Sequence, residues 1–485
     1  MKRLTIILLV LIFALSNIVS CGDKGAAPAA EDTASPDTAA EVTETTGYTD
    51  SVPQLDFEGA KFRTLQQNPG LLYNFYTDAQ NGDLVNDVIF DRIQNVEERL
   101  NIDVVETACF VFNEVSDKLQ KSVLSGSDEY DLVLNQIFRS GSDAIQGFMY
   151  DWNTIPYINL SEPWYTKSIQ DASLGECLYM IESDLSTSYM NQTWFIMYNK
   201  KMAENSGIVN LYETVEEGKW TADYLYELAS GLYQDINGDG KADEEDVYGL
   251  ATSVGDGCMT AAVYYAMNGR LVELAEDNQS VIHVIEHEKN INVLEKVSEL
   301  LYQMPNVYNK LPIGGDARIQ KFTSNKCVFV MAQVGVLIRE DLRKFEDNFG
   351  VLPLPKYDES QSEYYTLVDG GADILTVPSN AVNLELIGAA VEIMSAFSYN
   401  KFVPTYMNVA LEQKGTRDEE SIKMLRSILD SRVIDFGYLY DTGSGWVMKL
   451  NAITKKPDAI ASQVERNKKP IDKYYTKIIT QFNEN

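Results

Sequence analysis

Two short stretches combine residue types and spacing that could do chemistry. The chain's only two histidines fall in His283-Val284-Ile285-Glu286-His287. On one face of a helix this spacing offers two imidazoles to a zinc ion and a carboxylate as general base. The preceding Ser280-Val281-Ile282-His283-Val284 alternates as a strand does, and a helical pattern starts only near Glu288. Strand geometry sends neighbouring side chains to opposite faces and would part the two rings. A zinc metallopeptidase built on His283, Glu286 and His287 is therefore the weaker alternative. The chain has no G-x-S-x-G elbow and no phosphate-cradling P-loop. No glycosidase pair stands out among its 72 carboxylates. No residue is assigned a catalytic role, and the chain is expected not to be an enzyme.

The second stretch is Asp235-Ile236-Asn237-Gly238-Asp239-Gly240-Lys241-Ala242-Asp243-Glu244-Glu245-Asp246. Side-chain oxygens of Asp235, Asn237, Asp239, Asp243 and Asp246 occupy loop positions 1, 3, 5, 9 and 12. Gly240 stands at position 6, where the sharp turn needs it, and Lys241 at 7 supplies a backbone carbonyl. The loop resembles EF-hand and dockerin calcium loops, with Asp246 in place of the usual Glu. Calcium is expected as a structural ion, against the plainer reading of a solvated acidic turn. The shorter carboxylate weakens the case for bidentate coordination.

The start of the chain gives an address. Lys2 and Arg3 precede the apolar stretch Leu4–Leu15, which is too short to cross a bilayer as a stable helix. This reads as a removable signal peptide over residues 1–20. Ile18-Val19-Ser20-Cys21 closes it and resembles the bacterial lipobox, which implies diacylation of Cys21 and cleavage before it. Residues 21–50 are rich in Ala, Pro, Thr, Asp and Glu and cannot bury enough surface to offset their ordering entropy. They are expected to form a disordered tether with a reach on the order of 30 Å. The expected location is the outer face of the cytoplasmic membrane, lipid-anchored: the cell surface of a Gram-positive organism, or otherwise the periplasm. The formal net charge of −32 repels phosphate backbones, so nucleic acid is not an expected partner. Cys109, Cys177, Cys258 and Cys327 form no C-x-x-C pair, and their spacing supports no disulfide framework.

The body alternates strands and helices. A strand at 61–65, a helix at 83–100, a strand at 102–105, a helix at 114–125 and a strand at 130–134 make a βαβαβ unit with right-handed crossovers. Further strands are expected at 193–199, 327–331 and 372–378, and helices at 222–233, 290–302 and 384–397. The Phe349–Pro355 run, with its alternating prolines, reads as an extended connector rather than a sheet strand. From Pro404 to Phe482 the pattern is mostly helical, with basic residues clustered from Lys449 to Lys477, which reads as a solvated helix face.

The lipobox, the tether, Tyr130-Asp131-Leu132-Val133, Tyr198-Asn199-Lys200, Trp220-Thr221, Gly350-Val351-Leu352-Pro353-Leu354-Pro355-Lys356 and Tyr364-Tyr365-Thr366 occur in this order. Together they resemble the extracellular solute-binding proteins of ABC importers, specifically family 1, the carbohydrate-binding group that includes maltose-binding protein. The resemblance spans residues 55–485. It implies an α/β, two-lobe, periplasmic-binding-protein-like fold of type II. Each lobe would be a doubly wound, mostly parallel sheet with helices on both faces, and a ligand cleft would lie at the hinge. The N-terminal lobe is expected to comprise residues 51–180 plus 360–405. The C-terminal lobe is expected to comprise 181–359 plus 406–485. The partners it implies are a mono- or oligosaccharide and the transmembrane subunits of an ABC permease, with the binding protein a monomer. A cell-surface polysaccharide adhesin is a further alternative.

Open α/β sheets bind ligands at the carboxyl ends of their strands. That rule selects Gln66 and Asn68, Asn135 and Gln136, Gln333, and Asp369 beside Gly370-Gly371. Amides and carboxylates suit sugar hydroxyls, which both donate and accept. Trp446 in a glycine-rich loop, Trp164 after Pro163 and Trp194 at a strand start are the candidate stacking aromatics, with core packing the competing role for each. The two glycines either admit a ligand close to the backbone or turn the chain, the turn being favoured.

Overall fold

The computed structural model describes residues 47, 49–67, 75–253, 255–277, 280–305, 307–311, 315–411 and 419–484. The expected signal peptide, Cys21, most of the expected tether and Asn68 lie outside the described residues. The body is engaged from Asp50 onward, for its carboxylate is held by the Arg99 guanidinium and accepts the Val52 amide.

The first sheet is built from β1 (Ala60–Gln67), β2 (Ile102–Cys109) and β3 (Leu132–Gln136), all parallel. Between β1 and β2 runs the helix Leu84–Leu100, started by Asp83, whose carboxylate accepts the Val85 and Asn86 amides at 3.0 and 3.1 Å. Its apolar stripe of Val85, Ile89, Ile93, Val96 and Leu100 is buried. Arg92 is buried with them, which periodicity could not foresee. Its guanidinium donates to the carbonyls of Leu185 and Phe75 and to the Ser398 hydroxyl, and burial lowers its pKa to about 9.

The second sheet contains β4 (Trp194–Asn199), β5 (Tyr248–Ser253), β6 (Tyr308–Leu311), β7 (Cys327–Gln333) and β8 (Phe349–Leu352). Its order is β8-β4-β7-β5-β6, with β4 antiparallel to both neighbours and the β7-β5-β6 pairs parallel. Phe349–Leu352 is thus a strand, which corrects the connector expected from its prolines. It lies at the sheet edge and Pro353 falls one residue past its end, where a missing N–H costs no ladder bond.

The chain then returns to the first sheet. After β9 (Thr366–Leu367), β10 (Asp373–Thr376) adds antiparallel to β3, giving the order β10-β3-β1-β2. The helix Leu384–Phe397 follows, buried on nearly every side, as its strongly apolar composition favours, with Glu392 and Ser395 buried among the apolar residues. The chain passes to the second sheet again through the helix Val403–Leu411, and Glu419–Asp430 packs on β8. At the junction β9 pairs in parallel with β11 (Arg432–Val433), and Thr193 bridges Val368. The result is the two-lobe, mixed α/β architecture: two sheets, each with parallel strands and covering helices, joined by three passages of the chain. The C-terminal region is helical, through Val447–Thr454 and Ile460–Glu484.

Candidate functional site

Residues from the carboxyl ends of both sheets meet at one place. Gln333 ends β7, in register with Trp194 at the start of the antiparallel β4. The Gln333 Nε2 lies 3.4 Å from Oδ2 of Asp369, which precedes β10 of the other sheet. Asp369 is fixed at this point. Its amide donates to the Gln192 carbonyl at 3.0 Å, and its Oδ1 accepts the Gly371 amide at 2.9 Å. Gln136, the last residue of β3, borders Gly371.

Three charged or polar residues that end-of-strand reasoning passed over complete the group. Asp256 caps the helix Gly257–Ala266 through the Met259 amide and pairs with Arg318 at 3.3 Å. The Arg318 guanidinium stands 4.9 Å from the Trp194 ring centre. Cys258 sits beside Asp369. Burial pushes its thiol pKa well up, and the charges of Asp369 and Asp256 push it further. Burial and the Asp256 charge also raise the Asp369 carboxyl, against the opposing pull of the Gly371 amide. Asp256 was open to discovery, because Gly255-Asp256-Gly257 follows β5 just as Gln333 follows the body of β7. Arg318 carries no such local signal.

Phe138, half-buried, packs with its ring tilted against Tyr438, the ring centres 5.2 Å apart. It also explains Gly370, where a Cβ would meet the Phe138 ring at 2.1 Å. Neither Gly370 nor Gly371 has positive φ, so close packing rather than a glycine-only turn sets the first of them.

Other sequence candidates are drawn elsewhere. Asn135 is buried, and its amide donates to the Phe112 carbonyl and the Ser116 hydroxyl, tying β3 to its covering helix. The Gln66 amide donates to Glu106, whose pKa burial and the Asp78 charge raise to about 7. Trp164 is enclosed between Tyr165 and Tyr399, each 6.4 Å away. Trp446 is also fully enclosed: its Nε1 donates to His283 Nδ1 at 3.1 Å. These two tryptophans and Asn135 are packed in this structure as core residues. Trp194 is buried as well, and its place in the site is as a wall beneath Arg318.

His283 is thereby spoken for: its Nε2 lies 3.2 Å from Asp472. Glu286 pairs with Lys468, and His287 precedes the helix Glu288–Ser298 in extended conformation. The three do not converge. In the 235–246 loop, Asp235 accepts the Gly238 and Gly240 amides at 2.7 and 2.9 Å. Asn237 and Asp239 each accept the amide two residues on. Asp243 accepts from Glu245, and Gly240 has φ +73° as its turn requires. Asp246 is buried and bonded to the Tyr233 hydroxyl and the Ile236 and Asp243 amides. Among the described residues no group of three or more His, Cys, Asp or Glu is arranged to hold a metal ion. Cys109, Cys177, Cys258 and Cys327 are free thiols. Among the described residues no helix is long and apolar enough to cross a membrane.

No family model matches the chain, and no curated protein matches it. Solved structures do. The sugar-binding protein MalE from Xanthomonas citri superposes with a TM-score of 0.56 at 11% identity, over 87% of this chain and 98% of that one. The GacH receptor of Streptomyces glaucescens, solved unliganded and with acarbose, gives 0.52 at 14%, over 87% and 99%. UgpB from Mycobacterium tuberculosis, in complex with glycerophosphocholine, gives 0.53 at 15%, over 86% and 99%. At such identities the likeness establishes the fold: this chain has the two-lobe fold of the maltose-binding-protein-like binding proteins of ABC transporters.

Proposed function

We propose that the protein is a lipid-anchored, extracellular solute-binding subunit of an ABC importer. It captures a mono- or oligosaccharide by closing its lobes and passes it to a membrane permease. One observation carries this reading: Gln333, at the end of β7 in one sheet, meets Asp369, which leads into β10 of the other. Groups that belong to different lobes and share one ligand favour the closed form by contacts unavailable in the open one. Two amides beside carboxylates offer a hydroxyl-rich ligand both donors and acceptors. Lobe boundaries of 51–180 with 360–405, and 181–359 with 406–485, belong to the same proposal. So does acylation at Cys21, supported by the lipobox-like residues before it. Calcium in the 235–246 loop is proposed on its donor spacing, as a structural ion remote from the ligand.

A calorimetric screen of sugars, polyols, glycerophosphodiesters and peptides, followed by small-angle scattering with the best binder, tests the reading. The expected result is a sugar that binds and shrinks the radius of gyration. Gln333→Ala and Asp369→Asn should each weaken that binding about tenfold or more, the effect of losing a hydrogen bond in a closed site. Binding unchanged in both variants, or product released from the sugar, would sink the proposal.

A further inference from the structure

The structure resolves the basic C-terminal segment into two kinds of residue. Lys468 is used internally, in its pair with Glu286. Arg466, Lys469, Lys473 and Lys477 are all exposed, and none of the four has an ion pair among the described residues. Their spacing of three, four and four residues puts them on one face of the helix Ile460–Glu484. At 1.5 Å per residue the stripe is about 16 Å long. On this face Ser462, Pro470, Thr476 and Thr480 are exposed and uncharged, Glu484 closes it in the last turn, and Lys455 and Lys456 extend the positive charge just before the helix. Glu465 and Asp472 flank the stripe on one side only, and Asp472 is engaged by His283. Solvation alone needs no such segregation of cations in a chain with a formal net charge of −32.

We propose that this stripe docks the protein on an anionic lipid surface, fixing which side of the body faces the membrane. This rests on the lipid-anchor reading of Cys21. A tether reaching on the order of 30 Å keeps the body near headgroups, while its overall negative charge opposes contact everywhere else. The face is a convex helix, with no side-chain fork buried in a pocket, so it fits an extended plane of charge better than a single bound anion. Three of its four cations are lysines, point charges without the bidentate geometry that selects individual carboxylates or phosphates. Screening confines the attraction to about 8 Å at physiological salt, so it orients a tethered molecule rather than recruiting a distant one.

The test uses the full chain carrying Cys21→Ser, so that no acyl chain contributes, with vesicles of phosphatidylcholine alone or mixed with phosphatidylglycerol. Expected is at least about tenfold tighter binding to the anionic vesicles at low salt, abolished near about 0.5 M salt. Lys469→Glu with Lys473→Glu should remove that preference while leaving the sugar-induced thermal shift intact. Equal binding to both vesicles, or a preference that survives the double substitution, would overturn the proposal. So would retention on immobilised polyglutamate without any vesicle preference, which would assign the stripe to an acidic protein partner. A vesicle preference in a protein that binds no solute would instead discard the importer reading and leave the stripe standing.

Discussion

Trp446 and Gln333 show what single positions can and cannot announce. Trp446 sits in a glycine-rich loop that suggested exposure, yet its indole finds a histidine acceptor that itself packs against Tyr475 of the last helix, partners separated from it by many residues. Trp446→Ala should therefore cost about 3–5 kcal/mol of stability, read from urea unfolding, while the folded fraction keeps its solute affinity. Reduced affinity with full stability would return this residue to the binding site. Gln333 and Asp369 were legible because ends of strands in open α/β sheets face the ligand side. Asn135 and Gln136 obey the same rule, but adjacent strand residues point to opposite faces, so only Gln136 remains at the site. Arg318 and Phe138 were not legible, because what places them is a partner strand or ring brought in by the fold.

Among the elements, strong periodicity and caps were enough. The helices at 84–100 and 384–397 fall where their apolar patterns and the Asp83 and Asn383 caps put them. The edge strand 349–352 escaped, since whether a strand precedes a proline depends on which side of it is unpaired. The 235–246 loop links the helix Ala222–Ser230 to β5, and its proposed calcium makes a prediction at this scale. Saturating calcium should raise the melting temperature by several degrees, since about a hundredfold excess over Kd contributes about 2.7 kcal/mol. Asp239→Ala should erase the rise. No rise in the wild-type protein would leave the loop as a self-bonded acidic turn.

At the scale of the whole molecule, the three passages between sheets gather buried acids. Glu182 has neither carboxylate oxygen hydrogen-bonded among the described residues, and burial drives its pKa well up. Near it are Asp184, paired with Arg432 at 2.9 Å, the Tyr189 phenol and Asp373. Burial raises Asp373 from 3.8 to about 7, and Glu392, bonded to the Tyr165 hydroxyl, from 4.5 to about 7. The folded chain thus keeps protons that the unfolded chain releases from about pH 4 upward. Their stabilisation is complete at low pH and lost as pH rises through 7. The melting temperature should accordingly be higher near pH 5 than near pH 8, and Asp373→Asn should flatten that slope. A slope of the same size in the variant would place the effect elsewhere. The passages also govern how such a chain matures. Thr376 of β10 bonds across to Val133 of β3, 243 positions earlier. During synthesis, the sheet that begins first must wait, with one border of backbone amides and carbonyls unmatched, while every strand of the other sheet emerges. The five strands of the second sheet, contiguous over 194–352, can pair first, and the first sheet is completed only when the chain returns with β10, so a truncation before Asp373 leaves an open border prone to aggregation.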